Sequence, residues 1–374
     1  MDYDTLKIIW WLIVGFYLIG FALTVGFDLG IAILLPWLGR SDGERSAILA
    51  TVMGTWEGNQ VWLVTLGGVL FAVWPLVYGT LFSGPYLAVM ALLFSLLLRP
   101  AGFDFRNKFK QPSWRRLWDW VLFTGGLVPA FLLGVILGNL LLGLPFRFDA
   151  ELRMHYTGGF FDLLHPFALL GGVITVALLT LHGACFLQCR TLGPVCFRAR
   201  AAATVSALVA AAGMGIAVLA LLGIDGYQIT AMPDPAAAFS PLEKQVEAVS
   251  AGWLVNFLRH PWMLAVPLLA IGGTLAAAAM ARQFIPVAAF WASSVALAAT
   301  LLSVGFALFP FLLPSSLAPD HSLTVWDAAS SPFTLKLVLA FTLIFLPIVI
   351  TYTGWVYRVL WGQINTATLD MKEG

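Results

Sequence analysis

The feature that most constrains this chain is a succession of apolar stretches, each about twenty residues long, with few polar residues between them. About 20 residues in a helix cross the hydrocarbon core of a bilayer. A helix also satisfies its own backbone hydrogen bonds, which lipid cannot do. Such stretches fall at roughly 7–38, 46–74, 76–98, 118–142, 161–186, 199–222, 259–281, 285–313 and 333–361. Charged residues are only 10% of the 374, whereas a soluble domain carries about 25%. A water-facing surface cannot be built from this composition. The expected fold is an all-α polytopic membrane protein with about nine transmembrane helices, forming a single membrane domain over residues 1–374. The first stretch is too long for the core of a signal peptide and is followed by more of its kind, so it reads as a retained anchor. The stretch at about 223–258 is too polar to span. It holds Pro233, Pro235 and Pro241 and is expected to be an outside loop with a short surface helix.

Orientation follows from the placement of Lys and Arg. With the N-terminus outside, the inner segments hold Arg40, Arg45, Arg99, Arg106, Lys108, Lys110, Arg115, Arg116, Arg190, Arg198, Arg200, Arg282, Arg358 and Lys372. The outer segments hold only Lys7, Arg147, Arg153, Lys244, Arg259 and Lys336. The bias places the C-terminus in the cytoplasm and requires an odd number of spans. Trp10, Trp11, Trp37, Trp74, Trp114, Trp118, Trp120 and Trp361 lie near span ends, as an interfacial belt would. A net charge of +1 leaves no basic excess for nucleic acid. Cys185, Cys189 and Cys196 are odd in number, suggest no disulfide framework, and fall on the inner side, where thiols stay reduced.

Charges within the apolar stretches are the candidates for chemistry, because each costs about 2.5–3.5 kcal/mol on insertion scales. Asp28, in Gly26-Phe27-Asp28-Leu29-Gly30, lies roughly 30 Å along the first span from Lys7, near the inner boundary. Glu57, in Gly54-Thr55-Trp56-Glu57-Gly58-Asn59-Gln60, lies roughly 15 Å from Ser46, near the midplane. Both sit in Gly-x-x-x-Gly patterns, which permit close helix approach. Carboxyls at increasing depth suit a proton relay, with Trp56, Asn59 and Arg99 as supporting residues. The structural alternative pairs Asp28 with Arg45 or Arg99. Asp119 begins the fourth span behind Arg115-Arg116; it either feeds a proton path or caps the helix and pairs with those arginines. Arg99-Pro100 reads on sequence grounds as a positive-inside stop. Of the five histidines only His182 lies well within a span. His182, Cys185 and Cys189 share a helical face, but no fourth ligand and no zinc spacing accompany them, so no metal is expected.

Several longer strings carry a resemblance. Asp4-Thr5-Leu6-Lys7-Ile8-Ile9-Trp10-Trp11, Gly26-Phe27-Asp28-Leu29-Gly30 and Trp56-Glu57-Gly58-Asn59-Gln60-Val61-Trp62-Leu63 resemble subunit II of the cytochrome bd oxidases. So do Leu98-Arg99-Pro100, Gly102-Phe103-Asp104-Phe105-Arg106, Gly223-Ile224-Asp225-Gly226-Tyr227, Ala251-Gly252-Trp253-Leu254-Val255-Asn256-Phe257 and Phe309-Pro310-Phe311-Leu312-Leu313-Pro314-Ser315-Ser316. Together with Ser322-Leu323-Thr324-Val325-Trp326-Asp327 they span nearly the whole chain in family order. The resemblance implies two four-helix bundles plus one extra helix, in a multi-pass protein of the bacterial inner membrane. It implies an oxidase that takes electrons from a membrane quinol and reduces dioxygen to water. Two haem b groups and a haem d, or a third haem b, would be ligated by subunit I, a pseudo-symmetric partner. A bound structural quinone or lipid and small single-helix accessory subunits are also compatible with the family. The acid at the position of Glu57 is associated there with proton delivery across the subunit interface. Three departures stand out. Val25 replaces a frequent acid, Thr55 replaces a frequent histidine, and Glu57 stands where many relatives have Asp. The competing readings are a proton-coupled transporter, which would favour inverted repeats, and a purely structural assembly subunit.

Overall fold

The computed structural model describes residues 2–365. Its helices are α1 (Tyr3–Leu38), α2 (Asp42–Ala50), α3 (Trp56–Val73), α4 (Pro75–Ser83), α5 (Tyr86–Phe105), α6 (Pro112–Leu142), α7 (Pro166–Arg190), α8 (Pro194–Leu221), α9 (Val255–Arg259), α10 (Ala265–Arg282), α11 (Pro286–Leu308) and α12 (Pro332–Leu360). Among the described residues eight helices are long and apolar enough to cross a membrane, α10 being counted with the 3-10 turn before it. The pair α3 and α4, bent by 120°, makes a ninth if taken as one span. The multispan helical fold is the expected one.

Two boundaries differ from expectation. Residues 46–74 are not one helix: the amphipathic α2 is followed by turns, and α3 begins only at Trp56. Within the break the hydroxyls of Thr51 and Thr55 each bond the carbonyl three residues back, of Ile48 and Val52. The third span starts at Tyr86, because Trp74-Pro75 and Gly84-Pro85 interrupt the chain before it.

α1 is the central helix, packed on α3, α6, α7 and α11. At 36 residues it is about 54 Å long, well beyond the hydrocarbon thickness. α1 meets α7 where Gly30 faces Gly183, and a Cβ on Gly30 would strike the Leu179 carbonyl. α6 meets α7 at Gly134 and Gly171 in the same manner. The Gly26–Gly30 pattern is thus a packing face. Gly54–Gly58 is not: Gly54 precedes α3, and nothing lies within 4 Å of a Cβ placed on Gly58.

One end of the bundle carries short antiparallel ribbons. They are β1 (Phe146–Phe148) with β2 (Met154–Tyr156), β4 (Asp225–Ala231) with β5 (Gln245–Ser250), and β6 (Phe311–Leu313) with β7 (Leu323–Thr324). The 223–258 loop is therefore mainly a β-hairpin; its helical content is 3-10 turns and the single turn of α9. At this end Lys7 is buried, donating to the carbonyls of Pro235 (2.8 Å) and Trp326 (2.7 Å) and lying 3.8 Å over the Tyr3 ring. Lys244 and Asp327 form a buried ion pair at 3.1 Å. Burial lowers the Lys244 ammonium and raises the Asp327 carboxyl, each opposed by the other's charge. The opposite, basic end holds α2 and the α5–α6 turn, where Arg190 donates to Leu360 O at 2.7 Å and β3 (Thr191–Leu192) pairs in parallel with β8 (Ile364–Asn365). Lys372 lies outside the described residues. Trp10 and Trp74 are fully buried rather than interfacial, whereas Trp37, Trp120 and Trp361 are exposed as a belt requires.

Candidate functional site

Asp28 sits ten residues before the end of α1, on the side turned to α3, and is 1% exposed. Its Oδ2 accepts from Asn59 Nδ2 at 2.9 Å, and Asn59 Oδ1 accepts from the Tyr357 hydroxyl at 2.6 Å. An ionised Asp28 can only accept, which turns the Asn59 Nδ2 toward it and leaves Oδ1 to accept from the Tyr357 hydroxyl. Three helices, α1, α3 and α12, thus converge on one hydrogen-bonded chain. Asp28 Oδ1 is buried without a partner among the described residues. Arg99, on α5, is also 1% exposed, and its Nε and Nη1 are likewise unpartnered. Arg99 is the positive charge that acts on Asp28, although the two make no ion-pair contact. Arg99 is therefore not a stop at the membrane surface: α5 continues to Phe105, and the guanidinium lies inside the bundle.

Glu57 lies elsewhere than expected. It is the second residue of α3 and is exposed. Asn59, one half-turn on, touches Asp28, so Glu57 and Asp28 lie at a similar depth rather than in a ladder. The count from Ser46 overstated the depth of Glu57 because the break at 51–55 intervenes. Glu57 heads a stripe at helical spacing, Glu57, Val61, Val64, Gly68 and Phe71, every member of which is exposed. α3 packs mainly on α1, α4 and α12, and this stripe lies on the side left exposed. Trp56 packs on Phe103 of α5, ring centroids 5.3 Å apart.

Asp119 lies seven residues into α6, not at its start, and both its oxygens are engaged. Oδ1 pairs with Arg106 Nε at 2.7 Å and Oδ2 with Arg45 Nη1 at 2.9 Å. Arg106 extends to Asp42 at 2.8 Å, and Asp42 also pairs with Arg115. The partners of Asp119 are thus Arg45 and Arg106 rather than Arg115 and Arg116. Nearby Glu44 pairs with Arg198 at 2.6 Å. Burial would raise the Glu44 carboxyl, but Arg198 and the N–H groups of Arg40 and Ser41 together hold it below its ordinary range.

His182 has both ring nitrogens committed, Nδ1 to Ser293 Oγ at 2.8 Å and Nε2 to the Leu23 carbonyl at 3.0 Å, and its ring stacks on Phe290. With both nitrogens so engaged it does not fit a haem ligand. Among the described residues no three His, Cys, Asp or Glu side chains cluster as a metal site would require. Tyr357 was not found by reading the sequence: a tyrosine near the end of an apolar run carries no charge to mark it.

Fold and site define a multi-pass helical membrane protein with a buried aspartate, a buried arginine and an acid on an uncovered helix face. The chain matches the family model for cytochrome bd terminal oxidase subunit II over residues 6–360 and belongs to that family. It is 45% identical to the cytochrome bd-I ubiquinol oxidase subunit 2 of Escherichia coli strain K12, over 99% of this chain and 98% of that one. A probable cytochrome oxidase subunit 2 of Haemophilus influenzae is 42% identical, over 100% and 99%. The bd oxidase of Geobacillus thermodenitrificans shares the fold, with a TM-score of 0.68 at 17% identity over 95% of this chain and 98% of that one. The protein is a multi-pass subunit of a bd-type oxidase in the bacterial inner membrane, as the resemblance implied.

Proposed function

We propose that this chain is the non-haem subunit of an oxidase that couples quinol oxidation to reduction of dioxygen to water. It scaffolds a haem-bearing subunit I and delivers cytoplasmic protons to it at Glu57. The observation that carries this reading is the stripe headed by Glu57. A carboxyl on an uncovered apolar helix face is costly against lipid and is the usual mark of a functional path. A second subunit laid on α3 gives Glu57 a protein environment and makes it a donor at the interface. Asp28, held by Asn59 and Tyr357, lies one helix behind Glu57, within this chain. The commitment of His182 to Ser293 and Leu23 agrees with haem b and haem d being held by the partner. The basic end, with Arg106, Lys108, Lys110 and Arg116, is the cytoplasmic one by the positive-inside rule, which puts the N-terminus and the β-ribbons outside.

An apolar cleft of about 580 Å³ between α6, α7, α8, α10 and α11, lined by Leu137, Ile174, Met214, Leu268 and Val304, suits a structural quinone or a lipid chain. Small single-helix accessory subunits would find room on the bare outer faces of the bundle.

The test is Glu57→Gln in the complex purified from its native membrane. Haem bands in a reduced-minus-oxidised spectrum and the partner subunit should be retained, while oxygen uptake falls by on the order of a hundredfold. Unchanged uptake with an unchanged spectrum would make Glu57 passive and the chain an assembly subunit.

A further inference from the structure

α1 and α6 run side by side in opposite directions. They touch at Gly126, where a Cβ would lie 2.7 Å from Ala32 Cβ and 2.8 Å from the Leu29 carbonyl. Towards the basic end the two helices carry large rings instead. Trp37 of α1 lies edge-on to Trp120 and Phe123 of α6, with centroids 6.5 Å apart in both cases. Both tryptophans face outward, 64% and 47% exposed. Arg40 follows Trp37 by three residues and Arg116 precedes Trp120 by four; both arginines are exposed. On α6 the exposed positions Arg116, Trp120 and Thr124 recur every four residues, so the arginine stands over the ring on one face. Counted along each chain from the Leu29–Gly126 contact, Arg40 and Arg116 both lie roughly 15 Å towards the basic end. Arg45 ties the two levels together, donating to the Gly39 carbonyl at 2.9 Å and pairing with Asp119 at 2.9 Å.

The acids around this notch are already committed. Asp119 serves Arg45 and Arg106, and Asp42 serves Arg106 and Arg115. Glu44 pairs with Arg198 and accepts only the backbone N–H of Arg40. Arg40 and Arg116 have no ion pair among the described residues. Two free guanidinium groups therefore stand above two bare indoles at the inner interface. Indoles favour that level, where one end of the ring is apolar and the other wet. A guanidinium matches a phosphate with two parallel hydrogen bonds. Basic pockets between spanning helices on the cytoplasmic side suit anionic headgroups. A free phosphate would leave the indoles uncovered, and a zwitterionic lipid would bring its own cation to the arginines. We propose that the notch between α1 and α6 holds one anionic phospholipid of the inner leaflet. Its phosphate lies between Arg40 and Arg116, and an acyl chain lies along Trp37 and Trp120. The site is independent of any proton role for Glu57.

The experiment is native mass spectrometry of the whole purified complex, delipidated and then titrated with phosphatidylglycerol or with phosphatidylcholine. The wild type should bind one phosphatidylglycerol more tightly than the rest, and more tightly than any phosphatidylcholine. Arg40→Gln/Arg116→Gln should weaken that first lipid about thirtyfold, since each interfacial cation contributes about a factor of five. Lys108→Gln/Lys110→Gln removes the same charge from the same end, also at exposed positions, and should leave that lipid in place. Trp37→Leu/Trp120→Leu keeps every charge and should weaken it too. An excess of inorganic phosphate should not displace it. All the substituted side chains are exposed, so the partner subunit and its haem absorbance should be retained throughout. If the arginine variant fails to assemble, the tryptophan variant set against the lysine variant carries the same comparison. Equal losses in the arginine and lysine variants would mean diffuse attraction to the basic end and overturn the proposal. So would undiminished binding in the arginine or the tryptophan variant, equal affinity for phosphatidylcholine, or displacement by inorganic phosphate.

Discussion

Arg106 is wholly buried and shared between Asp119 and Asp42, so at the scale of single residues its charge is the one most exposed to mutation. Asp119→Ala removes its buried partner. Taking one member from a buried pair costs up to about 3–5 kcal/mol when the other charge is left uncompensated; Asp42 still reaches Arg106 at 2.8 Å, so the loss here should fall below that range. The solubilised complex should melt at a lower temperature and assemble in lower yield, with the turnover of the surviving fraction unchanged. A variant that melts normally but consumes oxygen slowly would return Asp119 to the proton path. The acids themselves were legible in the sequence, since Asp28, Glu57 and Asp119 interrupt or border apolar runs where charge is rare. Their partners were only partly so. Arg99 was named as one of two candidate partners for Asp28, whereas Arg106 comes to Asp119 from the end of α5, a pairing set by tertiary packing.

Individual helices divide in the same way. The apolar runs gave the spanning helices, but the chain breaks between α2 and α3 at 51–55, and hydropathy is blind to that. The two Gly-x-x-x-Gly patterns looked equivalent, yet only in Gly26–Gly30 do both glycines face a neighbouring helix closely; Gly54 meets Leu360 of α12, and Gly58 meets nothing within 4 Å. Gly30→Ala would drive a methyl into the Leu179 carbonyl of α7. Backbone cannot move aside as a side-chain tip can, so the substitution should cost about 1–3 kcal/mol. Gly15→Ala, on the same helix with nothing within 4 Å, should be neutral. Thermal melts of the two purified complexes check the contrast, and equal melting temperatures would mean that the α1–α7 contact is softer than its geometry.

For the molecule as a whole, the question is which of its bare faces lipid covers and which the partner covers. α8 is open from Val205 to Leu219, but it carries no charge over that stretch, so lipid is a sufficient neighbour. The α3 face is different because Glu57 heads it. Beside it stands α12, which is held by α1 and α3 and is the least buried of the spanning helices, with Phe341, Ile344, Phe345 and Ile348 all exposed. The two helices form one continuous apolar wall with a single carboxyl near its basic end. A wall of that kind against lipid would pay for Glu57 and gain nothing, whereas against a second subunit it supplies both contact area and a donor. A bulky apolar substitution separates the cases, since lipid yields to an added ring and a packed interface does not. Val64→Trp on α3 should strip the haem-bearing subunit from the purified chain, while Val205→Trp on α8 should leave it bound. Retention in both variants, read from the haem absorbance of the purified material, would place the α3 face against lipid and remove the route by which Glu57 reaches the partner.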